Sequence, residues 1–246
     1  VCSMALGIAT LVKTLKARCL PFLPKLISSF LLFLSKANQS ASDSSSSMNL
    51  LDHAKLIQLS SIRAFVGMAE SVPQFLIPYL NRLFTPAILS SRSIKRSANG
   101  ETVVNILDTM VGQLDGALAT NIPCRQLVPS ACKALSTCQH VEEFITILAI
   151  IRRSMDHAPQ GDLASVRNYV VKGILLVYDF NAISIEEKKH LLDSVNGVAL
   201  ALVMKLSEVQ LFDLFAKVRK TSIEERGAFD WIIRFAVDAS SEARRE

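Results

Sequence analysis

The sequence predicts an all-α protein, an array of antiparallel helix pairs, from its composition and from a repeated pattern. The chain has 246 residues, of which 50% are hydrophobic and 20% charged, so it can bury a large core. It contains only 9 glycines and 8 prolines, which is few for a many-stranded protein rich in turns. Helices are therefore favoured over strands, and the composition does not indicate global disorder.

A pattern of paired prolines followed by an apolar helical run occurs three times. The second prolines are Pro24, Pro78 and Pro129, which are 54 and 51 residues apart. Proline suits the first turn of a helix, where its missing amide hydrogen has no partner, so each segment predicts a helix start. Helix pairs that repeat every 40 to 50 residues or so are typical of HEAT and armadillo proteins. The predicted fold class is thus an all-α, HEAT/armadillo-like α-solenoid of antiparallel helix pairs.

The predicted organisation has two parts. Residues 1–121 form HEAT-like repeats with a serine-rich loop at 35–49 and a basic loop at 86–100, and residues 122–246 form a C-terminal helical domain that continues the solenoid. The serine-rich segment has too little apolar area to offset the entropy of ordering it, which predicts a mobile insertion. The proline signature ends with the third segment, whereas helical periodicity continues beyond it.

Local signals predict where several helices begin or end. Ser184, Ser207 and Ser222 each precede a glutamate or glutamine by three residues, the spacing of a capping box that opens a helix. Asp162 is a predicted cap, and Pro86 is predicted to end a helix at the preceding residue. The predicted helical runs include residues 3–18, 50–70, 101–120, 141–155 and 163–180.

The net charge of +5 is unevenly distributed. Residues 1–100 contain 11 Lys+Arg and 3 Asp+Glu, a balance of +8, whereas residues 101–246 contain 16 and 19, a balance of −3. The positive part is suited to RNA phosphate or an acidic partner, and the alternative is that these charges are solvated helix faces and loops. The candidate phosphate contacts are, first, Arg92, Lys95 and Arg96, and second, Lys13, Lys16 and Arg18. Aromatic residues do not alternate with them, so sequence-specific reading of bases is not implied.

The sequence lacks the motifs of the common catalytic and cofactor sites. It has no phosphate-binding glycine loop, no HExxH and no GxSxG, and its four histidines occur singly. Cys132, Cys138 and His140 do not match a zinc spacing, and the odd total of 5 cysteines indicates a reduced, intracellular protein. We therefore expect no catalytic residues, no metal and no cofactor.

An apolar run at Cys19–Leu34 has the composition of a membrane span but not its length. It covers 16 residues and contains two prolines, whereas a spanning helix needs about 20 apolar residues. We expect a covered solenoid helix there and no membrane contact. The chain begins with Val1 rather than methionine, which indicates a segment of a larger protein. Such a segment would expose apolar flanks, so we expect it to associate.

Two short motifs carry a resemblance to a known family, which extends from about Val104 to Lys217. The first is IPCRQLVP, ending at Pro129, and the second is VMKLSEVQLFDLF, ending at Phe215. They are similar to the opening "PPR-x-LLP" and the close "lkLsE-x-x-FrpLF" of a C-terminal domain, with Cys124 in place of the second opening proline. The family is that of the large HEAT-repeat, snoRNA-associated protein of the small-subunit processome.

The resemblance implies a non-enzymatic nucleolar scaffold for pre-rRNA transcription and processing and for small ribosomal subunit biogenesis. Its implied partners are other processome proteins and pre-rRNA or snoRNA. The alternative is a HEAT-type adaptor or transport receptor that binds peptide segments of other proteins. An acidic inner face with exposed aromatic residues would favour the adaptor, and a basic ridge in the first hundred residues would favour ribosome assembly.

Overall fold

The computed structural model describes residues 2–42, 48–89, 101–178 and 184–224, and the regular elements in these ranges are all helical. The α-helices are α1 (Cys2–Leu15), α2 (Leu23–Ser42), α3 (Met48–Ser71), α4 (Leu80–Leu83), α5 (Glu101–Asn121), α6 (Cys124–Leu135), α7 (Val141–His157), α8 (Gln160–Tyr178), α9 (Ile185–Val203) and α10 (Glu208–Glu224). Short 3₁₀ helices occupy Lys16–Phe22, Pro73–Phe75 and Ile77–Tyr79, and a π-helical turn occupies Phe84–Leu89.

The helices form two layers. In the odd-helix layer α1, α3, α5, α7 and α9 pack side by side in chain order. In the even-helix layer α2 contacts the π-helical turn after α4, α4 contacts α6, and α6 contacts α8. In three cases, α2 with α3, α6 with α7, and α8 with α9, an even-numbered helix packs against the odd-numbered helix that follows it in the chain. Helix α5 instead contacts the π-helical turn that follows α4. The fold is an all-α, HEAT-like solenoid, as the repeated proline pattern predicted.

One hydrophobic cluster runs through the space between the layers. It extends from Val12 in α1 to Leu214 in α10, so each helix pair shares its apolar faces with the next. Phe30 of α2 and Phe65 of α3 are fully buried and meet edge to face, with ring centroids 6.0 Å apart. Burial of side chains of this size contributes about 1.5–3 kcal/mol each, so the core outweighs any single surface contact.

The three proline segments open the successive even-layer elements, but their second prolines do not all start a helix. Pro24 is the second residue of α2, which confirms the prediction there. Pro78 lies in the 3₁₀ turn Ile77–Tyr79, before the short α4. Pro129 lies inside α6, because that helix has already begun at Cys124, with Pro123 as its N-cap. The amides of Gln126 and Leu127 bond to the Pro123 carbonyl, so the first proline of this segment marks the start.

The prediction that a helix ends at Thr85 is wrong, because the π-helical turn Phe84–Leu89 carries the chain past Pro86. Proline removes one amide donor and leaves its carbonyl available. The Pro86 carbonyl accepts a hydrogen bond of 2.9 Å from Asn38 Nδ2 of α2. The wider turn therefore keeps Ala87 and Ile88 in the core. Residues 90–100, the rest of the predicted basic loop, lie outside the described residues.

The serine-rich loop predicted at 35–49 is also wrong over its first eight residues, since α2 continues to Ser42. Ala37 and Asn38 are buried, and Gln58 Nε2 of α3 donates to Asn38 Oδ1 at 2.6 Å. The composition of this segment did not predict that it is helical, because the contacts that order it are with α3 and Pro86, which are distant in sequence. Residues 43–47 lie outside the described residues, and α3 begins at Met48.

Two of the three predicted capping boxes are confirmed. Ser184 and Glu187 exchange hydrogen bonds at the start of α9, and Ser207 and Gln210 do so at the start of α10. The box at Ser222 is wrong, since α10 runs through this serine to Glu224. Asp162 lies in the first turn of α8 rather than at its cap.

One described stretch, Arg18–Gln39, has the length and apolar composition to cross a membrane, with a mean hydropathy of 1.4. In the solenoid its buried residues Ile27, Phe30 and Leu34 belong to the core shared with α3. The core helix of a globular protein has the same composition, so this finding alone does not identify a span.

Candidate phosphate-binding surface

Three of the six predicted phosphate contacts lie at the end of α1 and in the turn that follows it. Lys13 is in the last turn of α1, Lys16 begins the 3₁₀ segment, and Arg18 lies within it. All three side chains are exposed. Lys16 has a φ of 45°, the left-handed conformation in which helices commonly end. Arg92, Lys95 and Arg96 lie outside the described residues, so their contribution stays a prediction.

Lys13 has an acidic neighbour that its sequence context did not indicate. Its Nζ lies 3.5 Å from Oε2 of Glu70 in α3, and both side chains are largely exposed. An exposed ion pair of this kind stabilises a protein by about 0–1 kcal/mol, so it neither fixes the two helices nor prevents Lys13 from contacting a phosphate. The predicted cluster is therefore an exposed helix end with one competing acid.

A groove on the odd-helix layer places Lys13 beside Arg63, a basic residue that the sequence analysis did not single out. The groove has a volume of about 510 Å³ between α1, α3 and α5. Lys13 and Arg63 line it together with Glu70, and the α5 side contributes the uncharged Met110 and Gln113. Arg63 is exposed and forms no ion pair with another described residue. In the sequence it is a single arginine in an amphipathic helix, with no local signal of a site.

Two adjacent arginines of α7 extend this positive surface along the same layer. The Nη1 atom of Arg153 lies 3.5 Å from where a Cβ of Gly116 in α5 would be. Nη1 of Arg152 lies 2.8 Å from the corresponding position of Gly197 in α9. The missing side chains of the two glycines thus leave room for the arginines to spread over both neighbouring helices.

We call Lys13, Arg63, Arg152 and Arg153 the basic face. Its three guanidinium groups form no ion pairs within the described part of the chain. Guanidinium groups bind phosphate through two parallel hydrogen bonds and remain charged at physiological pH. The face is suited to a phosphate backbone that crosses successive helices. Its residues come from three helices of one layer, so their position on a common side depends on helix packing and has no signature in the sequence.

Three cysteines, Cys124, Cys132 and Cys138, are structural rather than reactive. Burial raises the pKa of the Cys132 thiol to about 12, and burial also raises that of Cys138 to about 12, with the nearby Glu143 carboxylate adding to the shift. Burial likewise raises the pKa of Cys124. Thiols in this state are protonated at neutral pH and are poor nucleophiles and metal ligands. No group of three His, Cys, Asp or Glu residues that could hold a metal occurs among the residues described.

Two of the four histidines lie at the ends of α7. His140 precedes the helix, and the Glu143 carboxylate accepts hydrogen bonds from the amides of Gln139, at 2.7 Å, and His140, at 3.2 Å. His157 is in the last turn, with Nδ1 2.7 Å from the Arg153 carbonyl oxygen. These contacts stabilise helix ends, where backbone groups otherwise lack partners.

The two-layer packing of helices in the described ranges defines the class of protein: an all-α helical-repeat protein with a HEAT-like solenoid fold. The chain is similar to HEAT repeat-containing protein 1 of Danio rerio, at 25% identity over 235 residues, and to HEAT repeat-containing protein 1 of Homo sapiens, at 25% identity over 238 residues. Each alignment covers 93% of this chain but only 10% of the relative. No protein family profile matches the chain, and no solved structure matches it.

Proposed function

We propose that this chain is part of a non-catalytic scaffold of the small-subunit processome, which acts in the nucleolus. In this role it supports pre-rRNA transcription and processing and the biogenesis of the small ribosomal subunit. It holds other processome proteins through its helical surfaces and contacts pre-rRNA or snoRNA through its basic face.

The observation that carries the proposal is the match along 93% of the chain to a much longer HEAT-repeat protein. The two motifs that end at Pro129 and Phe215 support it, because they resemble the opening and the close of the processome protein's C-terminal domain. Lys205, within the second motif, donates hydrogen bonds to the carbonyls of Met155 and Ala158 at 2.7 and 3.4 Å, and to that of Asp156. The motif therefore has a structural role in holding the end of α7.

The basic face supports the RNA part of the proposal. Phosphate contacts do not need aromatic side chains, and the large apolar residues that are exposed among the described side chains of α3, α5 and α9 are aliphatic: Leu56, Ile106, Ile185 and Leu200. A surface of this composition is suited to backbone contacts rather than to base stacking.

Depletion of the protein in its own cells tests the proposal. We expect a fluorescent fusion to coincide with a nucleolar marker, and depletion to raise the ratio of unprocessed small-subunit precursor RNA to mature RNA. A wild-type transgene that resists depletion provides the control and restores the ratio. Normal precursor levels after complete depletion, with the fusion outside the nucleolus, would contradict the proposal.

A further inference from the structure

The even-helix layer contains a second concave site, on the opposite side of the solenoid from the basic face. It has a volume of about 410 Å³ and lies between α4, α6 and α8. The lining residues that matter for binding are Pro129, Lys133, Tyr169, Lys172, Gly173 and Leu176. This volume is within the range of about 300–1,000 Å³ that is typical of ligand pockets. We call it the even-layer pocket.

Close packing of α6 against α8 forms the floor of the even-layer pocket. A Cβ on Gly173 would lie 3.0 Å from Cδ1 of Leu135 and 3.2 Å from Sγ of Cys132, so only glycine permits this approach without displacement. Pro129 also lines the floor and contributes an apolar ring. The floor is thus set by core packing and is present before any partner binds.

The wall of the pocket exposes apolar area that the described chain does not cover. Tyr169 is 50% exposed and Leu176 is 39% exposed, and they lie two turns apart on α8. Isolated exposed apolar side chains are common on protein surfaces, but these two border one concavity and so offer an apolar contact for an inserted side chain. Tyrosine is also enriched among the residues that contribute most to binding at interfaces.

The two lysines that line the even-layer pocket favour a negatively charged partner. Lys133 of α6 and Lys172 of α8 line the pocket, and none of the other lining residues is charged. Both lysines are exposed and form no ion pair with another described residue. A partner with an apolar side chain for the floor and carboxylates beside it would complement both features, whereas nucleic acid offers no aliphatic anchor for the pocket.

We propose that the even-layer pocket binds an acidic peptide segment of a partner protein, with one apolar side chain inserted between Tyr169 and Leu176 and flanking carboxylates paired with Lys133 and Lys172. The inference concerns protein binding on a surface separate from the basic face. It holds whichever assembly the scaffold serves, so it can fail while the processome proposal stands, and the reverse is also true.

Fluorescence anisotropy with defined peptides tests the inference. The probe is a short fluorescein-labelled peptide with a central leucine flanked by aspartates and glutamates. One control peptide replaces the leucine with serine, and another replaces the acids with lysines. We expect the 246-residue chain to bind the probe and neither control. Equal binding of the leucine and serine peptides would show nonspecific charge attraction and would overturn the proposal, as would no binding of the probe.

Variants of the chain then locate the site. Tyr169→Ala, and the double variant Lys133→Glu with Lys172→Glu, should each weaken binding of the probe about tenfold or more, the effect expected at an interface hot spot. Lys188→Glu with Lys189→Glu makes the same charge change at exposed positions on α9 and should leave the affinity unchanged. The substituted side chains are all exposed, so thermal unfolding should show that each variant is folded. A probe affinity that falls equally in the α9 control would overturn the assignment of the pocket.

Discussion

At the scale of single residues, Gly173 sets how closely α8 approaches α6. Gly173→Val should lower the free energy of unfolding by about 1–3 kcal/mol, the usual cost of overpacking, because the new side chain would collide with Leu135 and Cys132. Gly112→Val is the matched control, since a Cβ at Gly112 in α5 meets no atom within 4 Å. Urea denaturation of both variants measures the difference. Equal stability of the two would show that α6 and α8 are not held at this distance.

Asn38 links three segments that the sequence did not predict to meet. Asn38→Ala should cost about 1–3 kcal/mol, because the buried Gln58 Nε2 loses its hydrogen bond to Asn38 Oδ1 and the bond from Asn38 Nδ2 to the Pro86 carbonyl is also lost. Gln39→Ala changes the adjacent exposed residue and should be nearly neutral. Chemical denaturation measures both. An Asn38→Ala variant as stable as Gln39→Ala would contradict the buried network and the helical assignment of residues 35–42.

At the scale of elements, Lys205, which follows α9, caps the C-terminal end of α7 and so links the α8–α9 pair to the α6–α7 pair. Lys205→Met keeps the aliphatic stem but removes the ammonium group that bonds to the Met155, Asp156 and Ala158 carbonyls. We expect a loss of about 1–2 kcal/mol, because a cation at a helix C-terminus stabilises the orphan carbonyls. Lys189→Met is the exposed control on α9.

Hydrogen exchange of the last turn of α7 distinguishes this cap from a general effect on stability. Amides of residues 154–157 should exchange faster in Lys205→Met than in Lys189→Met, with the rest of α7 less affected. Uniform exchange along α7 in both variants would contradict a local role for Lys205.

An element could be predicted from the sequence when the residues that stabilise it are close together in the chain. The boxes at Ser184 and Ser207 were predictable because both partners lie within one helical turn. The repeat of about fifty residues was visible because prolines recur close to the start of each even-layer segment, in the first turn of α2, in the 3₁₀ turn before α4, and at the N-cap and in the second turn of α6. The helical end of α2 was not visible, because it depends on Gln58 and Pro86, which are 20 and 48 residues from Asn38. The arginines of the basic face were missed for the same reason.

At the scale of the whole molecule, the two terminal parts of the described stack expose apolar side chains. Leu11 and Phe22 are 54% and 64% exposed near α1, and Val209 and Phe212 are 79% and 66% exposed on α10. Solenoids need polar terminal repeats for solubility, so we expect the isolated chain to associate as its concentration rises. Val209→Lys with Phe212→Glu should reduce the mean mass in static light scattering. A monodisperse wild-type monomer at high concentration would contradict this expectation.

The proposed scaffold contacts RNA during small-subunit assembly. The most direct test is to purify the tagged protein from its own cells under native conditions and to quantify the RNA that copurifies at increasing salt. Three forms are compared: wild type, Arg63→Glu with Arg152→Glu and Arg153→Glu, and Arg92→Glu with Lys95→Glu and Arg96→Glu. The exposed pair Lys188→Glu with Lys189→Glu is the control.

We expect the wild-type protein to enrich small-subunit pre-rRNA and snoRNA over bulk RNA, and the enrichment to fall steeply with salt as phosphate contacts are lost. Reversing the charge at Arg63, Arg152 and Arg153 should lower the RNA enrichment further, while the α9 control should behave as wild type. Absence of pre-rRNA from the wild-type purification would contradict the central claim.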